Sequence, residues 1–560
     1  MILKKCRGLP LALAAVGGFL ANQPKTAFEW RRLNEHISDE LGMNPRLETI
    51  KAVLMKSYDG LPYYLKACFL YLAIFPQDKQ IARRRLVRRW IAEGYSSEVH
   101  GKSVDEVLDG YFMELVSRSI ILPCQQSIYS GKGIDSCHVH DLIHEIAISK
   151  SMEENLVFIL EEGCSLNNQG PVRHLAVRSS WKGDQCEFEN IVDLSHVRSL
   201  TVFGNWRPFY ISDKMRLLRV LDFEGTSDLA NHHLEHIGKL LHLRYLSLRG
   251  HADITHLPYS LGNLRQLQTL DISGTRIIKL PRTIIKLVKM QHIRGCGTEG
   301  NLGGVELPRG VCKLKALHTL RTMDISLGKV VLKDIKRLTR LRKLGLTGIN
   351  KRNSRELCSA ISCLSNLESL WLCSDSDEGL SGCLDDLSSP PGNLQSLKLI
   401  GNLVQLLKWI QALKNLVKLK LERSRIPEHD AAIQVLGNLP NLATLHLLDY
   451  SFVCKEVSLI FRQEAFPSLK VLQLHWVRNM QLMKFEQQAA PKLESLQYLG
   501  SRSPSVVLFS GLSNLPSLKE FMLHRSWWEP KLAEHRSKLV EHLRGQLAKN
   551  MNNPVLKIWE

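Results

Sequence analysis

The sequence predicts an α/β chain in which a long solenoid of parallel strands follows two helical regions. The first observation is a short phrase, apolar-x-x-apolar-x-apolar, which recurs along residues 172–523, as in Leu243-Arg-Tyr-Leu246-Ser-Leu248. The second is its spacing, because successive copies start about 25 residues apart. The third is that residues 1–150 show the apolar stripes of helices.

The recurring phrase predicts short strands that pack on one another. Its Leu-x-Leu centre alternates with period two, so the apolar residues point to one face of a strand. One repeat cannot bury its leucines alone, and stacked repeats give a parallel-sheet horseshoe with the spacing of leucine-rich repeats. Clear copies start at Leu218, Leu243, Leu267, Leu341, Leu367, Leu394, Leu416, Leu442, Leu469 and Leu518, and weaker ones at Val172, Val197, Met290, Leu317 and Leu493.

Composition indicates an ordinary globular chain of 560 residues, with 44% hydrophobic residues and a mean hydropathy of −0.11. Thirteen cysteines without any Cys-x-x-Cys pair favour reduced thiols and a cytoplasmic location. No apolar stretch is long enough to span a bilayer. The segment Met1–Ala21 imitates a signal peptide, so secretion is the alternative.

Residues 1–50 look like the end of a larger helical region. Gly8-Leu9-Pro10 opens an apolar helix with a proline in its first turn, and a second helical pattern follows around Trp30. Residues 51–150 predict several helices and a small hairpin, with strands near Ser119–Leu122 and Cys137–Val139. This combination is typical of a winged-helix domain.

The order of the motifs resembles that of plant NB-LRR (NLR) disease-resistance proteins of the coiled-coil class. The matching strings are Gly8-Leu-Pro-Leu-Ala12, Cys68-Phe-Leu-Tyr71 to Phe75-Pro76, Trp90-Ile-Ala-Glu-Gly94 and Val139-His-Asp-Leu142. The resemblance implies domains at 1–50 (end of the NB-ARC helical, or ARC1, region), 51–150 (winged-helix ARC2), 151–171 (linker), 172–530 (leucine-rich repeats) and 531–560 (C-terminal cap).

The sequence departs from the family at the nucleotide site. It contains no Gly-x-x-x-x-Gly-Lys-[Ser/Thr] loop to cradle phosphates, since Gly94 and Gly101 of the nearest string stand too far apart. We therefore expect the C-terminal portion of an NLR or a truncated one, with no cofactor in this chain alone and ADP or ATP in a full-length relative.

His140 and Asp141 stand at the positions of the family's MHD motif. The resemblance implies that the histidine contacts the phosphates of ADP in the resting state, and that Pro10 belongs to the same nucleotide site. An imidazole N–H can donate to phosphate, and the neighbouring carboxylate can fix its tautomer. The alternative is that Asp141 only caps the helix that follows.

Two other site chemistries remain open for residues 51–150. The net charge is +19, and Arg83-Arg-Arg-Leu-Val-Arg-Arg89 is the densest basic cluster. It indicates either a solvated helix face or a winged helix that binds nucleic acid through Arg84, Arg85, Arg88 and Arg89. Cys137, His138, His140 and His144 suggest zinc, although no second ligand cluster follows at finger spacing.

The predicted function is that of a plant innate-immune receptor, not an enzyme, because no nucleophile elbow or carboxylate pair stands out. Its partners would be a pathogen effector or a guarded host protein, and further the nucleotide-binding domain or other NLR chains. A stand-alone ADP-binding switch is an alternative. The residues that alternate with core leucines predict the partner-binding face, namely Tyr245, Arg249, Trp371, Lys418, Lys420, His446 and His475.

Trp371 is the candidate anchor of that face. A large aromatic side chain on a solvated sheet face is typical of an interface. The alternative is a structural tryptophan packed under the loop 375–379.

Overall fold

The computed structural model describes residues 55, 58–96, 100–124, 134–164, 171–296, 303–326, 328–374, 376–500, 507–524 and 533–559. These residues form two compact units. The first unit contains the described residues up to 248 together with 266–269, and the second contains 249–265 and those from 270 onward. Pro10 and the predicted helices of residues 1–50 lie outside the described residues.

The first unit begins with a winged helix. Its α-helices are Tyr63–Leu70, Arg83–Glu93, Val104–Ser117 and Asp141–Glu153, with a 3-10 turn at Tyr71–Ile74. The strands β1 (Ile81–Ala82), β2 (Ile121–Pro123) and β3 (Ser136–Val139) form an antiparallel sheet in the order β1-β3-β2. The hairpin predicted from the sequence is therefore confirmed.

Local sequence explains where these helices begin and end. Gly94 ends the helix Arg83–Glu93 with a φ of 84°, a left-handed conformation that favours glycine. Ser103 begins the helix Val104–Ser117 through a capping box with Glu106, in which each side chain accepts a hydrogen bond from the other residue's backbone N–H.

The first unit continues into a parallel ladder. Its strands are β4 (Val157–Leu160), β5 (His174–Val177), β6 (Ser199–Val202), β7 (Gly204–Asn205), β8 (Val220–Asp222), β9 (Thr226–Ser227) and β10 (Tyr245–Ser247). They pair in the order β4-β5-β6-β8-β10, and β7 and β9 form a separate short parallel pair. The segment 151–171, predicted as a linker, thus holds the first strand of this ladder, which lacks the full phrase.

The second unit extends the repeat pattern. Its strands are β11 (Thr269–Ser273), β12 (His292–Cys296), β13 (Val305–Glu306), β14 (Thr319–Asp324), β15 (Lys343–Thr347), β16 (Ser369–Cys373), β17 (Ser396–Ile400), β18 (Lys418–Glu422), β19 (Thr444–Leu448), β20 (Val457–Phe461), β21 (Val471–His475), β22 (Met480–Phe485), β23 (Ser495–Leu499), β24 (Leu508–Ser510), β25 (Glu520–His524) and β26 (Val555–Trp559). A smaller parallel sheet has the order β20-β22-β24.

The register of this sheet aligns the leucines of successive repeats. Leu370 lies opposite Leu344 on one side and Leu397 on the other, and the same alignment continues to Leu472. Every residue that starts a copy of the phrase, from Val172 to Leu518, is fully buried. The assignment of these leucines to the core is therefore confirmed.

Helices return the chain between strands. The α-helices are Gln185–Ile191, Lys329–Ile335, Ser354–Ser362 and His429–Gly437, and the 3-10 helices are Leu194–His196, Pro208–Tyr210, Asn231–Lys239, Tyr259–Asn263, Arg282–Lys286, Val311–Lys313, Lys408–Ala412 and Leu512–Asn514. Pro258 and Pro281 stand immediately before two of the 3-10 helices, where the fixed φ of proline suits the start of a helical turn.

The C-terminal region combines a helix with one more strand. The helix Ala533–Leu547 lies in the segment 531–560 that was predicted to form the C-terminal cap. β26 then pairs in parallel with β25, so the ladder continues into residues that were predicted to have lost the repeat. No helix in the described ranges is long and apolar enough to cross a membrane.

Candidate functional site

The MHD-like residues lie at the start of the last winged-helix helix. His140, only 2% exposed, is the N-cap residue, and its Nδ1 accepts a hydrogen bond of 3.3 Å from the backbone N–H of Leu142. The capping role expected of Asp141 thus belongs to His140, while Asp141 is the first helical residue. Accepting at Nδ1 leaves the proton of the neutral ring on Nε2, and an N–H donor suits a phosphate oxygen.

The histidines considered for zinc have separate contacts. His144 Nε2 lies 2.9 Å from the carbonyl oxygen of Phe75, and His138 Nδ1 lies 3.8 Å from Cys124 Sγ. Burial lowers the pKa of His144 to about 4, so this ring is neutral at physiological pH. The described residues do not gather Cys137 and these histidines into a metal-binding group.

The basic cluster forms the arginine helix, Arg83–Glu93, whose arginines turn out to be largely buried. Arg85 Nε and Arg89 Nη1 each donate to Asp222 Oδ2 over 2.7 Å. The side chains of Arg89 and Asp222 have no exposed surface, and that of Arg85 is 4% exposed. The prediction of a solvated helix face is therefore wrong, because the first repeats cover this side of the helix.

Hydroxyl groups complete this network. Arg89 Nε donates to Tyr71 Oη over 2.9 Å, and Nη2 donates to Thr201 Oγ1 over 2.5 Å. Burial alone would raise the pKa of the Asp222 carboxyl, but the two guanidinium groups hold it below its ordinary value. The carboxylate is therefore ionised and paired at physiological pH.

The end of the arginine helix receives donors from the repeats. Arg219 Nη1 donates to the backbone oxygen of Glu93 over 2.8 Å, and Arg244 Nη1 donates to that of Ala92 over 3.3 Å. Carbonyls of the last turn lack partners within a helix and carry partial negative charge, so cations stabilise them. The winged helix and the first repeats are thus joined by hydrogen bonds from charged arginine side chains and by a shared apolar core.

Tyr245 does not belong to an accessible face. It is 2% exposed and packs with Ala92 and Val220. Its place in the phrase correctly predicted the sheet face opposite the leucines, but in this part of the chain the arginine helix covers that face. Tyr245 is therefore left out of the candidate binding surface.

In the second unit the sheet face around Trp371 is partly exposed. Trp371 lies directly opposite Gly345 on β15 and Lys398 on β17. A Cβ added to Gly345 would meet the indole ring at 2.8 Å, so the ring occupies the space that the missing side chain leaves. The ammonium of Lys398 lies 5.3 Å from the ring centroid, a cation–π contact.

Basic side chains continue from Trp371 along the sheet. Lys398 lies opposite Lys420, which in turn lies opposite His446. Lys420 pairs with Glu422 at 2.9 Å. Burial, with the nearby lysines, lowers the pKa of His446 to about 3, and burial lowers that of His475 to about 4. Both rings are neutral at physiological pH.

The remaining predicted face residues are accessible to different degrees. Arg249 is exposed, and Lys418, Lys420, His446 and His475 are partly buried. The sequence interpretation missed Lys398 and Gly345, although both follow the second leucine of a phrase, as Trp371 and Lys420 do. It also missed Asp222, which occupies the same place in an earlier copy.

Comparison with known proteins agrees with this architecture. Residues 196–556 match the family model described as "Leucine-rich repeat region", and residues 74–147 match "Disease resistance protein Winged helix domain". The fold and these matches define a leucine-rich-repeat protein with a winged helix of the disease-resistance type. The chain belongs to the leucine-rich-repeat family, and its relatives are disease resistance proteins.

The relatives include proteins of two plants. Disease resistance protein Pik-2 of Oryza sativa subsp. japonica is 30% identical over 89% of this chain and 53% of its own length. Probable disease resistance protein RF9 of Arabidopsis thaliana is 30% identical over 89% of this chain and 48% of its own. The chain spans about half the length of the curated relatives it matches.

A solved bacterial structure is similar over much of the chain. The LRR protein LIC12759 of Leptospira interrogans is 17% identical, and the match covers 70% of this chain and 97% of the Leptospira chain with a TM-score of 0.40.

Proposed function

We propose that this chain serves disease resistance as the recognition part of an innate-immune receptor. Its sheet face would bind a pathogen effector or a guarded host protein. The single observation that supports this best is Trp371, a partly exposed indole held over Gly345 and beneath Lys398 on a face that otherwise carries polar side chains. Aromatic residues surrounded by polar groups are typical interface anchors.

The test of this function is complementation in the host plant. Loss of the gene should raise the growth of a pathogen isolate, and the unaltered chain should restore resistance. Trp371→Ala and Lys420→Glu should fail to restore it, because both remove side chains from the binding face. Lys414→Glu, a charge reversal at an exposed turn, is the matched control. Full restoration by both face variants would contradict the proposal.

The winged helix would act as the switch of the receptor. Of the nucleotide site, the described residues supply only His140 and Asp141, and the donor at His140 Nε2 fits a phosphate oxygen in a longer relative. When bound, ADP would supply the negative charge that holds the resting state. His140 would orient one phosphate oxygen, and its bond from the Leu142 N–H would fix the tautomer that does so.

We expect this chain alone to show no saturable binding of ADP in isothermal titration calorimetry at micromolar concentrations. The physical reason is that a single imidazole donor cannot replace a loop of backbone amides and a lysine around the phosphates. Tight ADP binding would instead favour the stand-alone nucleotide switch.

Changing Asp141 to Val tests the switch in cells. Expressed in leaves together with the nucleotide-binding half of a relative, the variant should cause cell death without a pathogen. The same variant expressed alone should remain silent. Asp109→Val, at an exposed carboxylate of the preceding helix, is the control and should be silent in both settings. Cell death from the isolated variant would show that signalling needs no other part.

The nucleic-acid alternative loses its support in the structure. It depended on Arg84, Arg85, Arg88 and Arg89, of which Arg85 and Arg89 are committed to Asp222 and Arg88 is buried. A guanidinium paired inside the protein is unable to neutralise a phosphate of a nucleic acid.

A further inference from the structure

The sheet face around Trp371 concentrates positive charge. On the strands β14 to β19, the two positions that flank the second leucine of each phrase carry several cations and no carboxylate; they are Thr319, Arg321, Lys343, Gly345, Ser369, Trp371, Ser396, Lys398, Lys418, Lys420, Thr444 and His446. The carboxylates Asp324 and Glu422 stand at the last position of their strands. We refer to Arg321, Trp371, Lys398, Lys418 and Lys420 as the basic patch.

Lys398 is the centre of the basic patch. Within the described residues it has no ion-pair partner, and it lies between the indole of Trp371 and the ammonium of Lys420. Neighbouring parallel strands are about 4.8 Å apart, so like charges on facing positions repel each other. The unbound protein thus holds an unfavourable arrangement that an anion would relieve.

The nearest carboxylate neutralises only part of this charge. Glu422 pairs with Lys420 at 2.9 Å, and it lies at the far end of its strand from Lys418. Arg321 donates to the hydroxyl of Ser369 over 3.3 Å. With four cations and one adjacent carboxylate, the patch carries a net positive charge beside a partly exposed aromatic ring.

From this charge complementarity we propose that the basic patch binds an acidic protein segment, with carboxylates on Lys398 and Lys420 and an apolar side chain against Trp371. The inference rests on the proposed recognition role and adds the chemistry of the partner. The Trp371 indole N–H is buried, so the exposed part of the ring offers a partner an apolar contact and no hydrogen-bond donor. The carboxylates of the acidic segment would attract it to the patch and fix its position relative to Lys398 and Lys420.

The pH dependence follows from Lys398. Burial and then Lys420 lower the pKa of this ammonium to about 8, against the opposing effects of Glu422 and Cys373. Its charge is therefore lost as pH rises from 7 to 9, where acidic side chains stay ionised and His446 stays neutral. Affinity for an acidic segment should fall across this range, whereas Lys398→Arg should abolish the fall because arginine stays charged.

The experiment titrates the full chain, at physiological salt, into fluorescein-labelled peptides and follows anisotropy. The probe is a short peptide rich in Glu and Asp with central leucines, and its control replaces Glu and Asp by Gln and Asn. We expect the acidic peptide to bind at least about tenfold more tightly. Lys398→Glu should remove most of that preference, while Lys414→Glu, with the same change of net charge, should retain it.

Three results would overturn the inference. They are equal binding of the neutral peptide, an equal loss in Lys414→Glu, and tighter binding of a mixed-sequence single-stranded RNA that Lys398→Glu abolishes. Failure of the proposed recognition role can be distinguished from failure of the acidic-partner inference. If the face variants lose resistance in the plant but no acidic preference exists, the function stands and the partner chemistry is wrong. If the preference exists and the variants keep resistance, the recognition role fails.

Discussion

Replacing Asp222 by Asn should lower the free energy of unfolding of the first unit by about 3–5 kcal/mol, as expected when a buried ion pair loses one partner. Asparagine keeps the shape of the side chain but leaves the guanidinium groups of Arg85 and Arg89 charged and without a carboxylate inside the protein. In the unaltered protein, Arg85 and Arg89 each donate to Asp222 Oδ2 over 2.7 Å, and all three side chains are buried from solvent.

Urea denaturation and amide hydrogen exchange on β6 and β8 measure this effect. The control is Asp109→Asn, which removes the pair between Asp109 and Arg83 on the protein surface, where the aspartate is 46% exposed. That change should cost less than about 1 kcal/mol. If the Asp222 variant unfolds at the same urea concentration as the control, the buried network does not hold the winged helix on the repeats.

The leucine periodicity predicted the repeats because the information is local. Each phrase carries its own core residues within a few positions, so Leu218, Leu243 and Leu367 could be placed without knowing any distant contact. The ladder was predicted too short at both ends. β4 in Val157–Leu160 and β26 in Val555–Trp559 are held by pairing with a neighbour, while neither carries the full phrase.

Burial of the sheet face required tertiary information. Tyr245 and Trp371 both alternate with the core leucines of their phrases, so periodicity places both on the same sheet face, yet Tyr245 packs under Ala92 of the arginine helix and Trp371 is partly exposed. The winged helix covers particular repeats because of contacts between residues more than one hundred positions apart in the sequence, such as Arg85 and Asp222. Periodicity assigns a face to a side chain and carries no information on what lies above it.

The position of Lys398 beside Trp371, unlike the burial of Tyr245, could have been predicted from the sequence. It follows Leu397 as Trp371 follows Leu370, so the alternation of the strand places the two side chains on one face. Their contact depends on register, and register follows from the alignment of the leucines. If the residue after the second leucine is examined in every phrase, the sequence predicts four members of the basic patch, Arg321, Trp371, Lys398 and Lys420.

Leu372→Ala should destabilise the second unit by about 2–5 kcal/mol, because it removes a fully buried side chain and leaves a cavity between repeats. Trp371→Ala, one residue away, should cost only about 1 kcal/mol while it abolishes partner binding, since its indole lies on the sheet surface over Gly345 and leaves no enclosed cavity.

Thermal and urea unfolding of the two variants, with the acidic peptide titration on each, separates the core from the surface role. Gly345→Val is an independent variant, because its side chain would displace the indole from the space it now fills. It should weaken peptide binding with Trp371 still present. If Trp371→Ala unfolds as readily as Leu372→Ala, the tryptophan is a core residue, and the basic patch loses the aromatic contact on which its apolar recognition depends.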